Sequence, residues 1–206
     1  MLKIIGRKTS SNVMKVLWAC AELGLDFERK DLGGPFGGND SPEYQMLNPN
    51  GLVPTIIEDD FVLWESNSIV RYLAAKHDIG GLCPAYPRMR ADAERWMDWQ
   101  ISTVSPTLVP VFWGLIRTPL KERNAGEIEK ARKKLSANLS ILDTHLKNSK
   151  YIGGENFTMG DIPIGITAYR WFNMEMEREP YQDLKRWYDL LCNRPPFQEH
   201  IMQPLE

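Results

Sequence analysis

The stretch Asn48-Pro49-Asn50-Gly51-Leu52-Val53-Pro54 leads into Thr55-Ile56-Ile57-Glu58, the pair Asp59-Asp60, Phe61-Val62-Leu63-Trp64 and then Glu65-Ser66. A turn-rich segment runs into a proline, two short apolar runs flank an acidic pair, and small polar residues follow. This reads as a β-hairpin entered through Val53-Pro54 and left directly into a helix. Pro54 cannot donate a ladder hydrogen bond, so it belongs at a sheet edge or a bend. At X-Pro bonds the cis form costs only about 0.5–1 kcal/mol more than trans. A cis bond here turns the Val53 N–H and C=O outward, toward an extended ligand that pairs with the edge like an added strand. Taken alone, the dipeptide better suits an ordinary edge proline after a loop.

Working outward, Leu2 to Ile5 is a brief apolar run stopped by Gly6, a buried strand. Val13, Val16, Leu17 and Cys20 then recur at helical spacing, with Gly24 as the stop. Phe27 to Leu32 returns to strand spacing and completes a βαβ unit. Gly33, Gly34, Pro35, Gly37, Gly38 and Asn39 form a loop, followed by a short helix near Glu43 to Leu47. From Ser66 to His77 a helix places Ile69, Val70, Leu73, Ala74 and His77 on one face. The order βαβ-α-ββα calls for a central sheet flanked by helices.

Beyond Cys83-Pro84-Ala85-Tyr86-Pro87, read as a linker, strand signals nearly vanish. Arg88 to Ile116 is a long helical stretch with kinks expected at Pro106 and Pro110. Glu127 to Lys147, Thr158 to Asn173 and Tyr181 to Asn193 complete a bundle of four or five helices, with Thr158 and Asp161 forming a capping box. The chain therefore divides into an α/β domain over 1–80 and an all-helical domain over 88–206.

With 206 residues, 43% of them apolar, a formal charge of −2 and no long polar tract, the chain can build two modest cores. Nothing in that balance favours nucleic acid or an anionic membrane. The N-terminus lacks a secretory apolar run and no segment has the length of a membrane span, so the cytoplasm is the expected compartment. Cys20, Cys83 and Cys192 are far apart, with no CxxC pair and no Cys/His cluster, which points to neither a disulfide framework nor a metal site. His77, His145 and His200 are scattered, and no Ser-His-Asp order emerges.

Two short polar segments can carry chemistry. At the second strand-to-helix junction, Ser66 suits an N-cap and Glu65 the positive helix end; the same pair can grip a ligand carboxylate and ammonium. Thr9-Ser10-Ser11-Asn12, which joins the first strand to the first helix, reads as a capping run or as a donor to a thiolate. A free thiol has a pKa of about 8.5, and one hydrogen bond to a charged acceptor contributes roughly 1.5–3 kcal/mol, enough to make the thiolate substantial at neutral pH. In the helical half, Phe112 and Trp113 beside the kinking prolines are pocket candidates. Arg117 suits solvent or an anionic substrate.

Together, Ser10 to Val16, Asn48 to Pro54, Trp64-Glu65-Ser66-Asn67-Ser68-Ile69-Val70-Arg71-Tyr72-Leu73 and Phe157 to Ile162 resemble the cytosolic glutathione transferase superfamily over essentially the whole chain. The resemblance is to bacterial members of the serine or asparagine type. It implies a thioredoxin-like N-terminal domain, a cis Pro54 and a helical domain supplying the electrophile pocket. It further implies glutathione as co-substrate, no metal, a homodimer and a role in detoxification. By it, Val53 with Leu52 and Pro54 meets the cysteinyl backbone, Glu65 and Ser66 hold the γ-glutamyl end, and Ser11 lies beside the ligand. Ser10 or Asn12 supports the thiolate, and the pocket candidates Phe112 and Trp113, with Arg117 open to solvent or an anionic substrate, fall in the helical domain that would take the electrophile. No tyrosine or cysteine sits near the first strand, which speaks against tyrosine-type and mixed-disulfide mechanisms. The alternatives are a glutathione-dependent reductase, peroxidase or dehalogenase, and a non-enzymatic glutathione-binding module.

Overall fold

In the computed structural model, which describes residues 1–206, the first half runs β1 (Leu2–Ile5), α1 (Ser11–Glu22), β2 (Phe27–Lys30), α2 (Pro42–Leu47), β3 (Thr55–Glu58), β4 (Phe61–Trp64) and α3 (Ser66–His77). The sheet order is β2-β1-β3-β4. β1 runs parallel to β2, while β3 is antiparallel to both β1 and β4, so Ile4 lies opposite Ile56 in the middle of the sheet. This is the thioredoxin-like arrangement, and the Val53–Pro54 peptide that opens β3 is cis.

α1 is buried on two sides. Val13, Val16, Leu17 and Cys20 pack with Ile4, Ile56, Ile69 and Leu73 between the helices and the sheet. Met14, Trp18 and Ala19 instead join the large core of the helical half. The residues from Val13 to Cys20 are therefore all buried, Lys15 among them. A helix apolar on all sides needs partners on all sides, and α1 obtains them by standing between the two halves. Contact is close: a Cβ on Gly165 would sit 2.8 Å from the Trp18 ring. Trp18 Nε1 donates to Glu22 Oε1 at 2.8 Å, and Arg194 grips the same carboxylate at 2.7 and 2.5 Å.

The second half holds α4 (Pro87–Trp99), α5 (Ser105–Phe112), α6 (Ala125–Leu146), α7 (Asp161–Asn173), α8 (Gln182–Cys192) and α9 (Pro195–His200). In place of simple kinks at Pro106 and Pro110, the α4–α5 rod carries two widened π-type turns, over Gln100–Val104 and Trp113–Arg117. They are closed by Ser105 N–H to Gln100 O and by Thr118 N–H to Trp113 O. A wide turn relieves the ladder that a proline disrupts without ending the helix. α9, which opens with Pro195-Pro196, lies beyond the helices expected from the sequence. Both prolines sit in the first turn, where no N–H is needed, and Phe197 packs edge-on against Trp18 with ring centroids 4.9 Å apart.

The capping box exceeds its expected role. Asp161 Oδ2 accepts from Thr158 N–H at 2.9 Å, as anticipated, but Oδ1 also accepts from Ile152 N–H at 2.9 Å and Trp187 Nε1 at 2.8 Å. The Thr158 hydroxyl accepts from Gly160 N–H at 3.3 Å, short of the turn it was expected to reach. Burial pushes the Asp161 carboxyl up to about 6 against these three donors and a fourth, the Thr158 hydroxyl at 3.4 Å.

Candidate active site

The β1–α1 loop begins at Gly6, with φ of 149°. A Cβ there would lie 2.5 Å from Val13 Cγ2 and 3.0 Å from Val53 Cβ, so only glycine lets β1, α1 and the Val53 edge meet. Ser10 N–H donates to Arg7 O at 3.2 Å, and the first helical bond of α1 runs from Met14 N–H to Ser10 O at 2.8 Å. The N–H groups of Ser11, Asn12 and Val13 thus have no backbone acceptor. Ser10 stands at the N-cap position, yet its hydroxyl caps nothing. The first turn of α1 keeps its positive end open beside an unoccupied hydroxyl donor.

α3 begins in the same way. Ile69 N–H is the first to find a helical carbonyl, Glu65 O, leaving Ser66, Asn67 and Ser68 N–H groups unpaired with backbone. Contrary to the sequence reading, Ser66 is not the N-cap; it is the first helical residue, and Glu65 precedes it with φ of 73° and ψ of 108°. A non-glycine residue in that region costs about 1–3 kcal/mol and is held there by its surroundings, a pattern concentrated at ligand clamps. The Glu65 side chain is exposed and Ser66 is buried. Ser66 Oγ donates to Asn12 Oδ1 at 3.3 Å, which ties the two helix starts together and leaves the Asn12 amide N–H groups free to donate outward.

Beneath this junction lies a residue that sequence reasoning passed over. Lys15 Nζ donates to Ser66 Oγ at 3.4 Å and to Gln100 Oε1 at 3.1 Å, fully buried and with no carboxylate in ion-pair range. Burial brings its ammonium down to about 7, Glu65 opposes that, and Arg170 and Arg71 add to it. The available signal was a single lysine inside the otherwise apolar run Val13 to Cys20.

The third wall is the β3 edge. Neither the Val53 N–H nor its C=O enters a backbone hydrogen bond. The preceding loop is held from behind: Leu52 O accepts from Tyr44 OH at 2.6 Å and from Asn48 Nδ2 at 2.7 Å, and Tyr44 OH meets Thr55 Oγ1 at 2.8 Å. Pro54 is buried, whereas the Leu52 side chain is exposed. The loop is thus braced from behind while the Val53 edge is open.

Ser10, Ser11, Asn12, Val53, Glu65 and Ser66 are brought together. Phe112 is buried, with the Arg170 guanidinium 3.9 Å from its ring centroid, while Trp113 is half exposed with Arg117 at 4.8 Å. A cleft of about 600 Å³ between α5 and α6 includes Trp113 but none of the residues at the two helix starts. Cys20 is buried and its thiol is pushed up to about 12, so it is unreactive. No group of three or more His, Cys, Asp or Glu side chains is placed to share a metal ion. No helix is long and apolar enough to cross a membrane.

A thioredoxin-like sheet with an open cis-proline edge and two free helix starts, packed on an all-helical half, defines the architecture of a glutathione transferase. Residues 9–76 match the glutathione S-transferase N-terminal domain pattern, and residues 97–195 match the C-terminal one. Glutathione S-transferase GstB of Escherichia coli is 40% identical over the full length of both chains. Glutathione S-transferase 3 of Zea mays is 31% identical over 97% of this chain and 93% of its own. The glutathione-bound crystal structure of the theta class enzyme from Xanthomonas axonopodis pv. citri superposes with a TM-score of 0.96 at 44% identity, covering 100% of this chain and 99% of that one. The chain belongs to the glutathione S-transferase family, and its activity is that of a glutathione transferase.

Proposed function

We propose that the two helix starts and the Val53 edge form the glutathione site, and that bound glutathione attacks a small electrophile as its thiolate. The observation that carries this is the junction of α1 and α3, where Ser66 Oγ bonds Asn12 Oδ1 and both helix starts keep unpaired N–H groups beside the idle Ser10 hydroxyl. The Val53 backbone, flanked by Leu52 and Pro54, pairs with the cysteinyl unit. Glu65 takes the γ-glutamyl ammonium, while Ser66 and the free α3 N–H groups take its carboxylate. Ser10 donates to sulfur, with Ser11 and Asn12 beside it. The work is orientation and charge stabilisation, with no metal and no covalent enzyme intermediate. Trp113 and Arg117, above the buried Phe112, receive the electrophile. In this reading the protein is a cytoplasmic detoxifying homodimer, and a sedimentation mass near that of one chain at micromolar concentration would contradict the dimer.

The test is calorimetry with glutathione alone. Glu65→Ala should weaken binding at least tenfold, about 1.4 kcal/mol, without changing the circular dichroism spectrum. Unchanged affinity would remove Glu65 from the site. A product-resolved screen of halides, epoxides, unsaturated carbonyls and peroxides then separates transfer from reduction.

A further inference from the structure

Arg117 and Arg170, from separate parts of the chain, meet at Phe112 and Trp113 with Arg7 near enough to act on Arg170, and Glu206 is the acidic residue whose charge reaches Arg7. Arg170, in the last turn of α7, lays its guanidinium 3.9 Å from the Phe112 ring centroid. Arg117 lies 5.5 Å from the same ring and 4.8 Å from that of Trp113. Arg7, whose carbonyl holds the Ser10 N–H, folds over the Gly33-Gly34 turn so closely that a Cβ on Gly34 would lie 2.9 Å from its Nε and Cζ. None of the three has a side-chain carboxylate within ion-pair distance, whereas Arg132, Arg71 and Arg194 are each paired with one. Their only recorded side-chain hydrogen bond is from Arg117 Nη2 to Glu206 O at 3.3 Å. Burial lowers Arg170 to about 10, with Arg117 and Arg7 adding to it, and burial and then Arg117 lower Arg7, with Glu206 opposing.

Gathering unbalanced cations is unfavourable in a folded protein, and a ligand anion relieves it. A guanidinium stacked on an aromatic face keeps its N–H edge free, which suits bidentate recognition of a carboxylate. We propose that the electrophile taken by this site carries a carboxylate, held by Arg7, Arg117 and Arg170 beside the Trp113 ring. The inference rests on the transferase reading above and names its substrate class. Glutathione has carboxylates of its own, but Arg117 and Arg170 belong to the helical half, and neither lies on an element that carries Val53, Glu65 or Ser66.

The matched probes are 4-chloro-3-nitrobenzoate and 4-chloro-3-nitrobenzamide. In both, the glutathione sulfur bonds to the chlorine-bearing ring carbon, the C–Cl bond breaks and chloride leaves with the electron pair. The thiol proton has already passed to water. The wild type should prefer the benzoate by at least tenfold in kcat/KM. Arg117→Gln, at an exposed position, and Arg170→Gln should each cut that ratio at least fivefold. Calorimetry with the two S-aryl glutathione conjugates gives the same comparison without turnover, with the carboxylate conjugate bound more tightly and the gap closing in both variants. Equal handling of the probes by the wild type overturns the inference. So does a ratio unmoved in both variants, or a loss shared equally by both conjugates, which would assign the arginines to the peptide. If the wild type consumes neither probe, the transferase reading fails, and the conjugate-binding comparison still decides this one.

Discussion

Lys15→Met removes the one buried ammonium and tests how the site is supported. In the folded protein Lys15 is brought from the ordinary 10.5 to about 7, chiefly by burial. At about 1.36 kcal/mol per unit, holding the charge there costs on the order of 5 kcal/mol. The sign follows from proton counts. Between pH 7 and 10.5 the unfolded chain keeps this proton and the folded one has released it, so the contribution to stability rises with pH through that window. Below pH 7 both states are protonated, and the contribution is flat and at its lowest. The methionine variant has no such dependence. In urea denaturation from pH 6 to 9, its stability relative to wild type should be greatest at pH 6 and should decline by about 2–3 kcal/mol between pH 7 and 9. Other titrating groups occur in both proteins and cancel in the difference. A difference independent of pH would refute the burial argument. The same variant should lower glutathione affinity, because the Lys15 link to Ser66 is gone. At pH 7.5 the wild type should take up more protons on glutathione binding than Lys15→Met does, because a ligand carboxylate near Ser66 restores the ammonium while thiol ionisation is common to both.

Gly165→Ala should destabilise the fold by about 1–3 kcal/mol in urea denaturation, because the new methyl meets the Trp18 ring at 2.8 Å. A change below 0.5 kcal/mol would mean that the two halves repack freely across α1. Asp161→Ala should cost about 3–5 kcal/mol by leaving the buried donors of Ile152, Thr158 and Trp187 unmet. Asp161→Asn should recover part of that loss, and equal losses in both variants would point to charge alone.

The order βαβ-α-ββα was legible because short apolar runs, turn residues and helical spacing each fall where the sheet needs them. The Val53-Pro54 edge and Glu65-Ser66 stood out only through the order and spacing of the motifs that carry them, since each dipeptide alone suits an ordinary strand opening or helix start. The widened turns near Gln100 and Trp113 were not, since they depend on how the ladder adjusts around a proline. α9 was hidden because Pro195-Pro196 reads as a break unless it begins a helix. Lys15 was missed for a different reason: spacing describes which face of α1 is apolar, whereas the burial of its second face depends on α7 and α9, far along the chain. Arg7 and Arg170 likewise become neighbours of Arg117 only in three dimensions.

The central claim is that the α1 start lowers the pKa of bound glutathione, and thiolate absorbance titration of the complex measures it directly. A free thiol titrates near 8.5, and one charge-assisted hydrogen bond of about 1.5–3 kcal/mol corresponds to roughly one to two units. The wild-type complex should titrate at least one unit below the free thiol. Ser10→Ala should return most of that shift while changing low-pH glutathione affinity little; if Asn12 is the donor, Asn12→Ala gives that signature instead. A wild-type value near that of free glutathione, unmoved in both variants, would contradict the account.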